Sequence, residues 1–92
     1  MKKYNSIKLL EYLDEKHIEL LWDYFDKLNT SSGEIIIINL SKHEKNNFQK
    51  VNYYSTYNNN GKFFIKINKV IEGKILVLIN NDSKIMILAN EF

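Results

Sequence analysis

Between Ile18 and Leu28, apolar side chains return at helical intervals: Ile18, Leu21, Trp22, Phe25 and Leu28. That spacing gathers them into one stripe and predicts an amphipathic helix over Asp14–Leu28. Asp14 is placed to cap its first turn, and Glu15 to complement the positive end of the helix dipole. Asn29-Thr30-Ser31-Ser32-Gly33 then ends it with turn-forming residues and a glycine. The residues before Asp14 allow two readings. Ser6 can cap a short helix running through Leu13, or Lys3–Leu9 can form an edge strand, the reading favoured here.

After Gly33 the chain changes to runs rich in β-branched and aromatic residues, at Glu34–Leu40, Phe48–Tyr57, Lys62–Asn68, Lys74–Asn80 and Lys84–Asn90. Asn58-Asn59-Asn60-Gly61, Glu72-Gly73 and Asn81-Asp82-Ser83 separate them with good turn chemistry. The fold class expected is α+β: one amphipathic helix packed on an antiparallel sheet of five to six strands, in a single domain over residues 1–92. Ile35–Ile38, Ile75–Ile79 and Ile85–Leu88 are apolar at odd and even positions alike. Such strands need cover on both sides. One helix about 10–12 Å across shelters roughly two strands of one face. Apolar surface is therefore left over for a curled sheet, a second copy or a partner. Three strands offering two side chains each would expose on the order of 600 Å².

Composition narrows the classes. The 92 residues are 45% hydrophobic and 26% charged, which suits an ordinary globular domain. Without cysteine, neither a disulfide framework nor a thiolate zinc site can form. Met1-Lys2-Lys3 is followed by Lys8, Glu11, Asp14 and Glu15, which interrupt any signal-peptide hydrophobic region. No apolar run reaches the ~18–20 residues of a membrane span. The expected location is the cytoplasm. All thirteen basic residues are lysine, and asparagine and isoleucine also number thirteen each. An AT-rich genome favours these three types, so the lysines are in part compositional. The net charge of +2 is too small to argue for nucleic acid and of the wrong sign for a DNA mimic.

Ile18-Glu19-Leu20-Leu21-Trp22, with Phe25-Asp26-Lys27-Leu28 behind it, resembles the helix of a small bacterial family called domain of unknown function 960. Lys84-Ile85-Met86-Ile87-Leu88-Ala89-Asn90-Glu91-Phe92 is similar to that family's methionine-containing final strand and acidic–aromatic end. The order of elements between them agrees as well. The chain departs from the pattern at Tyr53-Tyr54-Ser55-Thr56, where a histidine, a glutamate and a proline would be expected. The resemblance implies the same α+β fold and a setting in low-GC Gram-positive bacteria and their mobile elements. It implies no activity.

The residues do not spell out a reaction. Nucleophilic catalysis needs a base held beside the nucleophile. His17 lies on the helix flank near Leu21 and Tyr24, a structural position, and His43 falls in the charged loop Lys42-His43-Glu44-Lys45. No G-x-S-x-G elbow surrounds any serine. Two histidines without cysteine fall short of a zinc ligand set, and Asn81-Asp82-Ser83 lacks the acidic ligands of a calcium loop. Isolated glycines at 33, 61 and 73 cannot cradle a phosphate. No catalytic residue, metal or cofactor is assigned.

Two surfaces remain. Glu11, Glu15, Glu19 and Asp23 are spaced four apart and would line one stripe if the helix extended back to Ser6, an acidic ridge for a basic partner. The second surface lies on Phe48–Tyr57 and Lys62–Asn68. If Asn59-Asn60-Gly61 is a three-residue loop with Gly61 left-handed, Thr56 faces Phe64 and Tyr54 faces Lys66. One face then carries Lys50, Asn52, Tyr54, Phe64, Lys66 and Asn68 over a packed side of Val51, Tyr53, Phe63, Ile65 and Ile67. A two-residue Asn60-Gly61 turn would move Tyr54 to the other side. Protein–protein contact ranks first for this chain: a non-enzymatic module that self-associates through its apolar sheet face as a homodimer. The mobile-element setting would make it an inhibitor of a host or defence enzyme. Single-stranded RNA or DNA ranks second, with aromatic rings stacking on bases and lysines meeting phosphate.

Overall fold

In the computed structural model, which describes residues 2–45 and 47–92, the chain enters as a strand and turns at once into helix. β1 spans Lys2–Asn5, α1 Ile7–Tyr12 and α2 Glu15–Phe25. Ser6 joins the first two, its hydroxyl oxygen accepting the Leu9 N–H at 3.1 Å. Both readings of this region thus hold in part: an edge strand exists, and Ser6 caps a helix directly after it. Asp14 caps α2 as expected, accepting the His17 N–H at 2.9 Å. The helix stops at Phe25, and Leu28 packs from the following turn.

Five further strands follow: β2 Ile35–Lys42, β3 Phe48–Ser55, β4 Asn60–Lys66, β5 Gly73–Ile79 and β6 Ser83–Leu88, closed by a 3-10 turn at Ala89–Glu91. They form one sheet in the order β1-β6-β5-β2-β3-β4. β2, β3 and β4 make a meander, and β5 then returns to the free side of β2. All pairings are antiparallel except one. β1 lies parallel to β6, with Lys2 opposite Ser83 and Tyr4 opposite Ile85. The sheet is therefore mixed, a correction to the all-antiparallel expectation that leaves the α+β class intact.

Both helices sit on one side of this sheet. Ile36, Ile38, Val51, Ile75, Val77 and Met86 point toward them and meet Leu9, Leu13, Ile18, Leu21, Trp22 and Phe25. Besides His17, three polar residues are buried among the described residues. Gln49 holds the crossover from β4 to β5: its Nε2 donates to Ser41 O at 2.8 Å and Ile71 O at 2.9 Å, and its Oε1 accepts from Ile71 N at 2.9 Å. Glu34 clasps two turns, accepting from Ser31 N at 3.0 Å and Asn59 Nδ2 at 2.9 Å. Lys84 reaches Asp26, with Nζ 3.2 Å from its carbonyl oxygen and 3.6 Å from its carboxylate. Each is matched by hydrogen bonds, which is what allows a polar group to be buried at modest cost.

Candidate functional site

Paired residues in a sheet share a face, so the register fixes the side of every strand residue. Lys50, Asn52 and Tyr54 of β3 and Phe64 and Lys66 of β4 all fall on the side away from the helices. The expected residues come together, but through a different register. Phe64 stands opposite Lys50 and Tyr54 opposite Asn60. The offset from the expected pairing is an even number of residues, so each side chain keeps its side. The turn is centred three residues earlier than expected, near Tyr57 instead of Asn60. Ser55 N–H donates to Asn59 O at 2.8 Å, and the Ser55 hydroxyl oxygen accepts from Tyr57 N and Asn59 N. Gly61 is not a left-handed turn residue but part of β4, opposite Tyr53. A Cβ there would lie 2.8 Å from the Tyr53 hydroxyl, which explains a glycine inside a strand. Asn68 lies beyond the end of β4.

The open face has two chemically distinct halves. Rows running across β1, β6, β5 and β2 place Tyr4, Ile85, Leu78 and Ile35 side by side, with Ile87, Leu76 and Ile37 in the next row. Tyr54 of β3 continues that second row. Further along the strands, Lys74, Asn39, Asn52 and Lys62 form a polar row, then Ser41, Lys50 and Phe64. Tyr54 and Phe64 are about half exposed, at 52% and 48%. None of the six strands contains an aspartate or glutamate, so the open side presents lysines without a carboxylate among its strand residues. Neither composition nor net charge reveals this segregation.

His43, read from the sequence as a solvated loop residue, joins this half. Its ring stands edge-on to Phe64 with centroids 4.7 Å apart, and its Nδ1 accepts from Lys45 N at 3.1 Å. The signal was its odd-numbered position, in phase with Ile35, Ile37, Asn39 and Ser41.

The acidic ridge is divided. Leu13 ends α1 in extended conformation and Asp14 begins α2, so Glu11 belongs to one helix while Glu15, Glu19 and Asp23 belong to the other. Four carboxylates on one continuous helix stripe do not exist here. Glu19 lies 3.9 Å from Lys16 in an exposed pair.

Beneath β4 the helix side carries an aromatic cluster. Tyr24 stacks on Phe63 with centroids 3.9 Å apart, and the Tyr24 and Tyr53 hydroxyls share a hydrogen bond of 2.7 Å. Burial, and then the bond to Tyr24, push the Tyr53 phenol up to about 12. Leu20, Asp23, Tyr24, Phe63, Phe64, Ile65 and Lys66 line a groove of about 400 Å³ between α2 and the outer edge of β4.

His17 is 1% exposed, and its Nε2 has no hydrogen-bond partner among the described residues. Burial lowers its pKa below the ordinary 6.5, against the opposing pull of the Asp14 carboxylate and the Gln49 amide. The folded chain thus resists a proton that the unfolded chain accepts, and stability falls as pH drops below 6.5. Glu34 titrates lower. Burial raises its pKa, but hydrogen bonds from Ser55, Asn59 and Ser31 and the charge of Lys84 outweigh it, leaving the net below 4.5. Urea midpoints of the wild type should therefore drop between pH 7.5 and 5.5 and again below about 4.5. In His17→Leu the first drop should vanish while the second remains.

Among the described residues, no three histidine, aspartate or glutamate side chains gather as a metal set, and no helix is long and apolar enough to cross a membrane. The geometry is that of a small α+β domain with helices on one side and an open, two-part sheet face on the other. It is similar over 99% of its length to a solved structure described as a protein of unknown function from Enterococcus faecalis, at 13% sequence identity and a TM-score of 0.74, spanning 90% of that chain. At this identity the likeness shows the fold alone. No family model and no curated protein matches the chain.

Proposed function

We propose that this chain is a non-enzymatic binding module that works through its open sheet face and pairs reversibly with a second copy across the apolar half. The observation that supports this is the contiguous patch of Tyr4, Ile35, Ile37, Leu78, Ile85 and Ile87, which neither helix covers. Except for Tyr4, these side chains are half-buried by their own neighbours. The patch is thus smaller than the roughly 600 Å² that fully exposed strands would offer. A standard stable interface buries about 800 Å² per partner, so association through this half is weak and concentration-dependent. A twofold axis in the interface plane and perpendicular to the line joining the two halves would send the lysine-bearing halves to opposite ends, where they do not repel. Following the resemblance to the mobile-element family, the further partner would be a host or defence enzyme.

Sedimentation velocity across a concentration series tests the pairing. The wild type should gain mass as concentration rises, whereas Leu78→Lys/Ile85→Lys should remain monomeric with an unchanged circular dichroism spectrum. A wild type that stays monomeric at millimolar concentration, or a double variant that associates equally well, would overturn the reading. The lysine half favours a second one, single-stranded nucleic acid held by Lys50, Tyr54, Phe64 and Lys66. On that reading affinity falls steeply with salt, and salt-insensitive or absent gel shifts dismiss it.

A further inference from the structure

β4 is an edge of the sheet, and the register shows which of its backbone groups are unpaired. Ser55 N–H bonds Asn59 O, and Ile67 N–H bonds Asn47 O, both at 2.8 Å. In an antiparallel ladder, hydrogen-bonded pairs alternate with non-bonded ones. Between those two fixed points, Gly61, Phe63 and Ile65 direct their N–H and C=O toward β3. Lys62, Phe64 and Lys66 therefore direct theirs outward. Nothing in the strand blunts this edge except the two lysines, since it has neither proline nor bulge.

We infer that β4 accepts an extended segment of a partner protein as a seventh strand, one with acidic residues four apart and apolar residues between them. A strand laid on this edge sends alternate side chains to opposite faces. Those opposite Lys62 and Lys66 lie on the open face, where no strand residue carries a carboxylate, and acidic groups complement them. Of the three between them, those opposite Phe63 and Ile65 point to the helix side, into the groove walled by Leu20, Tyr24, Phe63 and Ile65. Asp23 and Lys66, the two charged groups in that lining, offset each other, so its mainly apolar walls make the groove positions apolar. A second copy of β4 is a poor occupant. In the antiparallel register that uses every outward group from 62 to 66, Lys62 of one copy opposes Lys66 of the other, a like-charge pair that destabilises a ladder. The edge thus selects a foreign strand over itself, whether or not the open face self-associates.

The probe is a synthetic peptide, acetyl-Thr-Glu-Val-Tyr-Val-Glu-Thr-amide, titrated into the full chain by NMR with amide exchange as a second readout. Binding should slow exchange at the Lys62, Phe64 and Lys66 amides. Replacing both glutamates of the peptide with lysine should weaken it roughly tenfold, and N-methylating its tyrosine should abolish binding by removing a ladder donor. Lys62→Glu/Lys66→Glu should invert the preference, binding the lysine peptide better than the glutamate one. No binding at millimolar peptide overturns the proposal. So does protection mapping to other strands, equal binding of the two peptides, or edge protection that rises with protein concentration when no peptide is present.

Discussion

Truncating Trp22 to alanine should lower the unfolding free energy by about 3–5 kcal/mol, the usual cost of removing a buried large aromatic. Two features place it in that range. The ring is 7% exposed within the layer between α2 and the sheet. Its Nε1 also donates to Asn5 Oδ1 at 2.8 Å, tying the helix to β1. β1 has four residues and one sheet neighbour. Among the described residues, only the exposed Lys3–Asp26 pair ties its side chains besides, so the Trp22 bond matters to it. Trp22→Phe retains most of the apolar area and should cost only about 1–3 kcal/mol, chiefly through the unpaired asparagine and a smaller ring. Urea unfolding measures both. Hydrogen exchange adds a local readout: in both variants, amides of β1 should lose protection before those of β2. If Trp22→Ala and Trp22→Phe prove equally mild, the tryptophan does not anchor this layer.

Gln49→Leu should be comparably damaging, although leucine is close in volume and apolar. Gln49 is fully buried, and its amide satisfies Ser41 O, Ile71 O and Ile71 N at once. Leucine leaves these backbone groups without that partner. An orphaned buried donor or acceptor costs about 1–3 kcal/mol, so a combined loss of about 3–5 kcal/mol is expected. Gln49→Glu keeps the shape but loses the donor and adds a charge, and should restore no stability at neutral pH. Thermal melts read the stability, and exchange at the Ile71 amide reads the local effect. An apolar replacement as stable as wild type would show that water replaces the amide without loss.

The helix and the strands could be read from the sequence, the first by periodicity and the others by composition. Ile18, Leu21, Trp22 and Phe25 mark α2, while β2 is marked by its run of isoleucines between turn residues, its alternating burial at Ile36, Ile38 and Leu40 showing only in the structure. The direction of β1 could not be read. A four-residue strand carries no mark of parallel pairing, which is set by a partner far along the chain. The β3–β4 turn was misplaced because Asn59-Asn60-Gly61 has stronger turn composition than Thr56-Tyr57-Asn58-Asn59. The deciding group was the Ser55 hydroxyl, which gathers two backbone donors and closes the turn sooner. The candidate face survived that error because parity did. Gln49 and Glu34 stayed hidden for the opposite reason, whereas His17 was legible as a structural flank residue but not as one whose Nε2 lacks a partner among the described residues. A binary pattern assigns polar residues to water, and only tertiary partners reveal them inside.

The parallel contact between β1 and β6 has a bearing on how the chain is made. Synthesis on the ribosome delivers Lys2–Asn5 well before their sheet neighbour, Ser83–Met86. Ser6 waits likewise for Glu91, whose carboxylate accepts its hydroxyl at 2.7 Å. The β2–β3–β4 meander can form in the nascent chain, but until β5 emerges it leaves β2 with a naked margin, isoleucine on both sides over Ile35–Ile38. That interval is when a holding chaperone would matter most to this chain.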